Sequence, residues 1–156
     1  MPPDSCAAMS PETLQALLLD RGETVSCAES LTGGSLAVLL SETPGSSGVF
    51  RGGVVSYATE VKRDVLGVTA EKVISAECAT QMASGVRALL GSDWALSTTG
   101  VAGPESQEDQ PVGTVFVGIA GPRGVRAIPL SLRGSRDEIR RATCEAALSE
   151  LVGDLR

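Results

Sequence analysis

The stretch TVSCAESLTGGSLAVLL, residues 24–40, passes from a strand pattern to a helix pattern through one serine and two glycines. Residues 24–28 predict a short strand. Leu36, Leu39 and Leu40 give the segment that follows one apolar side, which is typical of a helix packed on a core. This strand-to-helix unit is the first of several alternations along the chain.

The segments on either side continue the alternation. Ser10 followed by Pro11 predicts a helix start, and Ser135 with Glu138 predicts a capping box that opens the last helix. The remaining patterns predict a strand at 49–58, a short helix from 59, a helix at 76–90, a strand at 94–98, and a hairpin of strands 112–119 and 125–132. Pro129 places the second hairpin strand at a sheet edge or a bulge. This order predicts an α/β fold, a three-layer α/β/α sandwich with a mixed sheet.

Length and composition indicate one globular domain. The chain has 156 residues, of which 42% are hydrophobic and 21% charged, as in ordinary soluble domains. No apolar run approaches the roughly 18–20 residues that span a bilayer, and residues 1–5 lack the pattern of a signal peptide. We therefore expect a cytoplasmic protein without a membrane partner, with a flexible leader at 1–9 and a single domain at 10–156.

The charge distribution disfavours nucleic acid as a partner. Thirteen basic residues against 19 acidic ones give a net charge of −6, whereas non-specific nucleic-acid binding depends on clustered positive charge. Six of the arginines nevertheless fall between Arg123 and Arg141. That region is suited to a small anion such as a phosphate.

The absence of histidine restricts the possible chemistry. The chain has no His, and its four cysteines are far apart in sequence with no C-x-x-C pair. Ser-His and Cys-His couples, histidine metal sites and zinc or redox motifs are therefore missing. If the chain is a hydrolase, its general base is Lys, Asp, Glu or Tyr.

Ser30 is the first candidate functional residue. It lies between a predicted strand and a predicted helix, where free peptide N–H groups point toward a ligand. A serine there is placed to attack a carbonyl, with the helix N–H groups receiving the oxyanion. The alternative is that Ser30 or Thr32 merely caps the helix.

Lys62 is the second candidate, with Tyr57 as a possible partner. If Thr59 caps the short helix, Lys62 occupies its third position, where the helix dipole disfavours a cation. The neighbouring Arg63 adds like charge, so the pKa of the Lys62 amine is expected to fall, as a general base requires. The alternative is a solvated surface lysine paired with Glu60.

Two further segments carry weaker signals. The glycine-rich turn at 98–104 follows a strand, at the end where open α/β sheets bind ligands; an ordinary loop is the alternative. Arg140, with Arg136 and Arg141, lies at the start of the last helix, where guanidinium groups and helix N–H groups suit a phosphate. A solvated basic face is the alternative there.

Taken together, these motifs resemble a known family. In chain order they are Ala-Glu-Ser-Leu-Thr-Gly-Gly at 28–34, Gly-Ser-Ser at 45–47, Ser-Tyr-Ala-Thr-Glu-Val-Lys at 56–62, Thr-Gly-Val-Ala-Gly-Pro at 99–104 and Pro-Val-Gly-Thr-Val at 111–115. With the arginine-rich start of the last helix, they are similar to the CinA C-terminal domain family. The stand-alone form of that family is a nicotinamide mononucleotide (NMN) amidohydrolase.

The resemblance implies a function and a set of site residues. It implies a cytoplasmic, usually oligomeric enzyme that hydrolyses the NMN carboxamide to nicotinic acid mononucleotide and ammonia, without a metal or organic cofactor. Ser30 would be the nucleophile, Lys62 its base and Tyr57 an assisting group. The positions expected to bind substrate are Thr32, Gly33, Gly34, Ser47, Thr99, Gly100 and Arg140, the last near the ribose phosphate.

The sequence also departs from the family pattern. Glu105 and Ser106 replace the usual Gly-Gly, ahead of the acidic pair Glu108 and Asp109, and the segment 68–75 is shorter than usual. If the acidic loop approaches the substrate, its charge weakens phosphate binding. Two other functions therefore stay open: an amidase for a different small amide, and a non-catalytic module that binds a nucleotide.

Overall fold

The computed structural model describes residues 10–156, so the leader expected at residues 1–9 lies outside the described part. The helices are α1 (Pro11–Arg21), α2 (Ser35–Ser41), α3 (Thr59–Leu66), α4 (Ala76–Leu90) and α5 (Arg136–Leu155). The strands are β1 (Val25–Glu29), β2 (Phe50–Val55), β3 (Trp94–Gly100), β4 (Thr114–Gly121) and β5 (Gly124–Ser131). The type and order of these helices and strands agree with the sequence prediction.

The five strands form one mixed sheet with the order β2-β1-β3-β4-β5. Strand β1 is parallel to β2 and to β3. Strand β4 is antiparallel to both β3 and β5. Pro129 lies on β5, which is an edge strand as predicted, so its missing N–H group removes no bond from an interior ladder.

Two apolar cores, one on each face of the sheet, confirm the three-layer sandwich. The first core joins α1, α2 and α5 to side chains of β1, β3 and β4 such as Cys27, Leu96 and Val117. The second core joins α3 and α4 to the opposite face, where the buried strand side chains are small, such as Ala28 and Ala95. Because alternate strand residues face opposite sides, β1 and β3 are buried on both faces.

The differences from prediction lie at element ends. Strand β2 stops at Val55, three residues before its predicted end. Helix α3 has Ala58 as its N-cap residue, without a side-chain capping bond, so the prediction that Thr59 caps this helix is wrong. The predicted caps of the outer helices are confirmed: Ser10 Oγ accepts from Thr13 N at 3.2 Å, and Ser135 forms the capping box of α5.

This topology brings the chemically interesting segments to one edge of the sheet. The parallel strands β1, β2 and β3 end there together, at Glu29, Val55 and Gly100. Within residues 10–156 no helix is both long and apolar enough to span a bilayer.

Candidate active site

Ser30 opens a tight turn between β1 and α2. Its N–H group donates to the carbonyl oxygen of Thr98 at 3.0 Å, which ties the turn to the end of β3. The turn closes when Gly33 N–H donates to the Ser30 carbonyl oxygen at 3.0 Å. Gly33 and Gly34 have φ values of +57° and +108°, a backbone region that side chains disfavour. The two glycines are therefore required by the shape of the turn itself.

Glu29 fixes the start of α2 from beneath the turn. Its side chain is only 1% exposed. The two carboxylate oxygens accept hydrogen bonds from Leu36 N–H at 2.8 Å and Ala37 N–H at 3.0 Å. A buried carboxylate on the first turn of a helix satisfies donors that would otherwise have no partner.

This arrangement corrects the expected source of oxyanion stabilisation. The N–H groups of Leu36 and Ala37 are taken by Glu29, and Ser35 N–H donates to the Thr32 carbonyl oxygen at 2.9 Å. The first-turn N–H groups of α2 are therefore not available to a ligand. By contrast, the peptide N–H groups of Leu31 and Thr32 have no acceptor among residues 10–156.

Lys62 reaches the Ser30 turn from helix α3. Its Nζ lies 2.9 Å from Ser30 Oγ, and it also donates to the carbonyl oxygens of Ser56 at 2.7 Å and Tyr57 at 3.1 Å. The residue is only 2% exposed. The alternative of a solvated lysine paired with Glu60 is therefore wrong.

Burial lowers the pKa of the Lys62 amine below its ordinary value, because a charged ammonium loses its hydration inside the protein. The direction agrees with the prediction, but the cause differs. Lys62 is the fourth residue of α3 rather than the third, and Arg63 is not among the groups that act on its pKa. Desolvation, not the helix dipole or a neighbouring cation, carries the effect.

Tyr57 contacts this pair through its backbone, while its side chain extends outward. Tyr57 is 58% exposed, and its phenol oxygen accepts a hydrogen bond from Arg136 Nη2 at 3.0 Å. Arg136 also donates to the carbonyl oxygen of Gly103 at 2.6 Å. Arg136 thereby bridges the segment after β2 and the long loop after β3.

These groups surround a cavity of about 380 Å³, within the size range of small-ligand sites. Its lining includes Ser30, Leu31, Tyr57, Gly100, Glu105 and Arg136. A larger cavity of about 740 Å³ lies at the other edge of the sheet, around Trp94 and the β4–β5 turn. No serine, lysine or cysteine lines it. The smaller cavity is the candidate active site because its lining includes Ser30, whose hydroxyl contacts Lys62.

The other residues expected to bind substrate have different positions. Thr32 is buried, with its hydroxyl 2.8 Å from that of Thr98. Thr99 is also buried, and its hydroxyl donates to the Val73 carbonyl oxygen. Gly100 lines the cavity, where a Cβ would collide with the Thr114 carbonyl oxygen.

Ser47 does not join the site within one chain. It lies in a short 3-10 turn, Ser46–Gly48, directly before β2. Val49, two residues after Ser47, accepts a hydrogen bond from Val25 N–H at the start of β1. Ser30, by contrast, follows the end of that strand. The length of β1 separates them by roughly 15 Å, so a substrate contact from Ser47 has no basis within this chain.

Arg140 contacts the backbone of the nucleophile turn. Its Nε donates to the Leu31 carbonyl oxygen at 3.0 Å, and its Nη2 donates to the Thr32 carbonyl oxygen at 3.1 Å. Two of the three guanidinium nitrogens are therefore engaged in bracing the turn. Arg136, one helical turn earlier, is the arginine that lines the cavity.

Sequence reasoning missed two residues that organise the site. The structural role of Glu29 was not predicted, although an acidic residue inside a buried strand pattern is itself unusual. Ser56 was missed as well: its N–H group donates to the Glu29 carbonyl oxygen at 2.7 Å, and its own carbonyl accepts from Lys62. Its position directly before Tyr57 was the available signal.

The acidic loop divides into two parts. Glu105 lines the cavity as the sequence suggested. Glu108 instead points toward the segment before α4, where its carboxylate accepts from Val73 N–H at 3.1 Å and Ile74 N–H at 2.8 Å. Only Glu105 is placed to affect an anionic substrate directly.

The cysteines are structural where the structure describes them. Cys27, Cys78 and Cys144 are buried free thiols. Burial raises the pKa of Cys78 to about 11 and that of Cys144 to about 12, so these thiols are protonated at neutral pH. Within residues 10–156 no group of three or more His, Cys, Asp and Glu residues is placed to hold a metal ion.

Comparison with protein families identifies one match. A family model described as the CinA C-terminal domain covers residues 8–155. A CinA-like protein of Frankia casuarinae is 50% identical over 137 residues, which are 85% of this chain and 32% of that protein. A putative competence-damage inducible protein of Halothermothrix orenii is 44% identical over 144 residues, 88% of this chain and 35% of that protein. The chain therefore spans about a third of the length of these relatives.

Solved structures share the fold over nearly the whole chain. A CinA superfamily protein of Klebsiella pneumoniae superposes with a TM-score of 0.90 at 29% identity and covers 96% of each chain. A competence/damage inducible protein of Agrobacterium tumefaciens gives a TM-score of 0.88 at 34% identity, covering 98% of this chain and 96% of its own.

Proposed function

The chain belongs to the CinA C-terminal domain family, and we propose that it is an amidohydrolase that converts NMN to nicotinic acid mononucleotide and ammonia. The single observation that carries this proposal is the contact between Lys62 Nζ and Ser30 Oγ at 2.9 Å. A nucleophile and a base within hydrogen-bond distance, beside a cavity of suitable size, form the minimum apparatus for acyl transfer.

The first half of the reaction uses the depressed pKa of Lys62. The neutral amine removes the proton from Ser30 Oγ as that oxygen attacks the carboxamide carbon. The tetrahedral intermediate carries an oxyanion. We assign its stabilisation to the peptide N–H groups of Leu31 and Thr32, which have no other acceptor among residues 10–156. A donor from the residue after the nucleophile is a common arrangement in serine hydrolases.

Collapse of the intermediate completes the exchange of protons. The C–N bond breaks, the Lys62 ammonium gives its proton to the departing nitrogen, and ammonia leaves. Water then attacks the acyl group on Ser30 while Lys62 accepts a proton from it. The bond between the acyl carbon and Ser30 Oγ breaks, Lys62 returns the proton to Ser30 Oγ, and the carboxylic acid product is released. Because the chain contains no histidine, a buried lysine is the base that fits this cycle.

The phosphate of NMN is assigned to Arg136 at the start of α5. Arg136 is exposed, lines the cavity with Ser30 and contacts Tyr57. A guanidinium group suits bidentate contact with a phosphate. Arg140, which the family resemblance places near the phosphate, has its Nη1 left for such a contact beyond its two backbone bonds.

Two observations keep other functions in view. Glu105 faces the same cavity as Arg136, and its charge opposes a phosphate, which favours an amidase for an uncharged amide as the second candidate. The chain also spans about a third of its curated relatives, which is compatible with a non-catalytic nucleotide-binding module. That the protein is cytoplasmic and homo-oligomeric likewise belongs to the proposal.

The experiment measures ammonia release by the purified protein from NMN, nicotinamide riboside and glutamine, and binding of NMN by calorimetry. The proposal predicts turnover of NMN with the highest kcat/KM of the three. Preference for an unphosphorylated amide would contradict the assignment of the phosphate to Arg136. Binding of NMN without turnover between about pH 6 and 9 would support the binding module and contradict the enzyme.

A further inference from the structure

The long loop between β3 and β4 is attached to the segment before α4 by one carboxylate. Glu108 accepts hydrogen bonds from Val73 N–H at 3.1 Å and from Ile74 N–H at 2.8 Å. The two segments are 34 residues apart in sequence at Ile74. Hydrogen bonds from backbone donors to an ionised carboxylate are stronger than those between neutral groups.

The backbone of the loop is shaped to deliver this carboxylate. Glu108 and Asp109 have φ values of +50° and +60°, and they are the only non-glycine residues with positive φ in the part of the chain that the structure describes. Such a conformation costs energy and persists only where the surroundings enforce it. Here it is enclosed by a pair of hydrogen bonds between Gln107 and Gln110.

The anchored loop forms one wall of the candidate active site. Gly103, Pro104, Glu105 and Gln107 line the cavity beside Ser30. Arg136 holds the loop at Gly103, and Glu108 holds it just beyond Gln107. The segment at the other end of this anchor is itself fixed to β3, because the Thr99 hydroxyl donates to the Val73 carbonyl oxygen.

Glu108 also acts on Lys62 through its charge. Burial lowers the pKa of Lys62, while negative charge at Cys78 on α4 and at Glu108 on the loop opposes the shift. The Cys78 thiol has a pKa of about 11 and is uncharged at neutral pH. Arg63 and Glu77 act on Cys78 and not on Lys62. Glu108 is therefore the carboxylate whose charge opposes the lowering of the Lys62 pKa.

We propose that Glu108 is a positioning residue for the candidate active site: its carboxylate anchors the loop that lines the cavity beside Ser30 to residues 73–74. This inference rests on the proposed function. In that reaction Lys62 becomes an ammonium ion before ammonia leaves, and a fixed negative charge stabilises that intermediate without moving.

The test compares Glu108→Gln with Asp109→Asn in the full chain. Both changes remove one negative charge from the same loop, and Asn tolerates the left-handed backbone at position 109. Asp109 is exposed, so its variant is expected to keep kcat/KM for NMN within about twofold. Glu108→Gln leaves one of two backbone donors without an acceptor, and we expect kcat/KM at pH 8 to fall by about tenfold.

Two readouts separate the charge from the anchor. Removing the Glu108 charge lowers the pKa of Lys62 further, so the acidic limb of the kcat/KM profile moves to lower pH and the loss becomes smaller as pH falls. Glu108→Asp keeps the charge but shortens the anchor, so it leaves that limb in place. Hydrogen exchange at the Val73 and Ile74 amides accelerates in both Glu108 variants and not in Asp109→Asn.

The outcomes are distinct from failure of the proposed function. Unchanged exchange at Val73 and Ile74 in a folded Glu108→Gln protein would overturn the anchor even if no substrate were turned over. A loss of kcat/KM by the same factor at every pH would overturn the electrostatic role. Wild-type protein that releases no ammonia from NMN would overturn the proposed function and leave the exchange measurement as the test of the anchor.

Discussion

Lys62 has the most demanding environment of any residue at the candidate active site. Its amine is buried, yet three oxygens surround it, from Ser30, Ser56 and Tyr57. Those contacts stabilise the ammonium form, while loss of hydration destabilises it. Desolvation is the larger effect, since the pKa of Lys62 is lowered.

The depressed pKa makes stability depend on pH. In the unfolded chain Lys62 titrates near its usual value of about 10.4, so between the lowered pKa of the folded state and that pH the unfolded state binds more protons than the folded state. The free energy of unfolding of the wild type, relative to Lys62→Met, should therefore rise as pH rises through the lowered pKa. Urea titrations of both proteins at several pH values between about 6 and 10 measure this difference in the free energy of unfolding. A difference that stays constant across this range would contradict a lowered pKa.

Arg140 provides a second prediction for a single residue. If its main role is to brace the carbonyl groups of Leu31 and Thr32, then Arg140→Lys, which cannot form the same pair of bonds, lowers kcat for NMN by about tenfold. KM changes little. Steady-state kinetics of Arg140→Lys are compared with those of Arg141→Lys, a change at an exposed neighbour on the same helix. A large rise in KM with unchanged kcat would instead assign Arg140 to substrate phosphate.

Among the elements, the connection from β1 to α2 determines the geometry of the site. Glu29 closes β1 and caps α2 with the same side chain, and its carbonyl oxygen receives both the N–H and the hydroxyl group of Ser56. One residue thus links the segment that bears Ser30 to the segment that leads to Lys62. A short helix of seven residues would not hold this geometry without such support.

Glu29→Gln should destabilise the fold by about 1–3 kcal/mol, because the amide accepts only one of the two N–H bonds and leaves a buried donor unpaired. Glu42→Gln, an exposed change at the C-cap of the same helix, should stay within about 0.5 kcal/mol of wild type. Urea denaturation monitored by circular dichroism measures both. Equal stability of the two variants would contradict the capping role of Glu29.

The elements were predictable because their signals are local. Leucine spacing in α2, the caps Ser10 and Ser135, and Pro129 on the last strand each act within a few residues. The cap of α3 was missed because Thr59 has the preferred chemistry, whereas the backbone places Ala58 at that position. Residue type alone does not determine which of two adjacent residues takes the extended conformation.

The candidate active site was predictable only in part, because its residues are distant in sequence. Ser30 and Lys62 are 32 residues apart, and only the family resemblance joined them before the structure. Bonds such as those from Glu108 to Val73 and Ile74 depend on long-range packing that no short pattern encodes. Glu29 lies only seven and eight residues before the α2 donors that it occupies, but this contact depends on how the turn between them returns the carboxylate to the start of the helix.

For the molecule as a whole, the layer of α4 depends on a sheet face made of small residues. A Cβ at Gly118 of β4 would collide with the Ala79 carbonyl oxygen and with Ser97 Oγ. The helix therefore lies directly on the strand backbone at this point. Because α4 leads from the segment that Glu108 anchors, its distance from the sheet also affects the position of that segment.

Gly118→Ala should destabilise the fold by about 1–3 kcal/mol through overpacking between the two layers. Gly153→Ala is the matched control, because it adds the same methyl group to helix α5 where nothing lies within 4 Å. Helix propensity predicts that it stabilises the fold by about 0.5–1 kcal/mol. Thermal unfolding of both variants checks these opposite signs. A neutral Gly118→Ala variant would show that α4 can move away from the sheet at little cost.

The most direct test of the central claim is ammonia release from NMN by wild-type protein, Ser30→Ala and Ser35→Ala. Each substitution removes one hydroxyl group, from the turn at Ser30 and from the first residue of α2 at Ser35, but only Ser30 Oγ contacts Lys62. The account predicts that Ser30→Ala loses turnover while retaining the fold and that Ser35→Ala keeps most of it. Substantial turnover by a folded Ser30→Ala protein would contradict the Ser30–Lys62 mechanism.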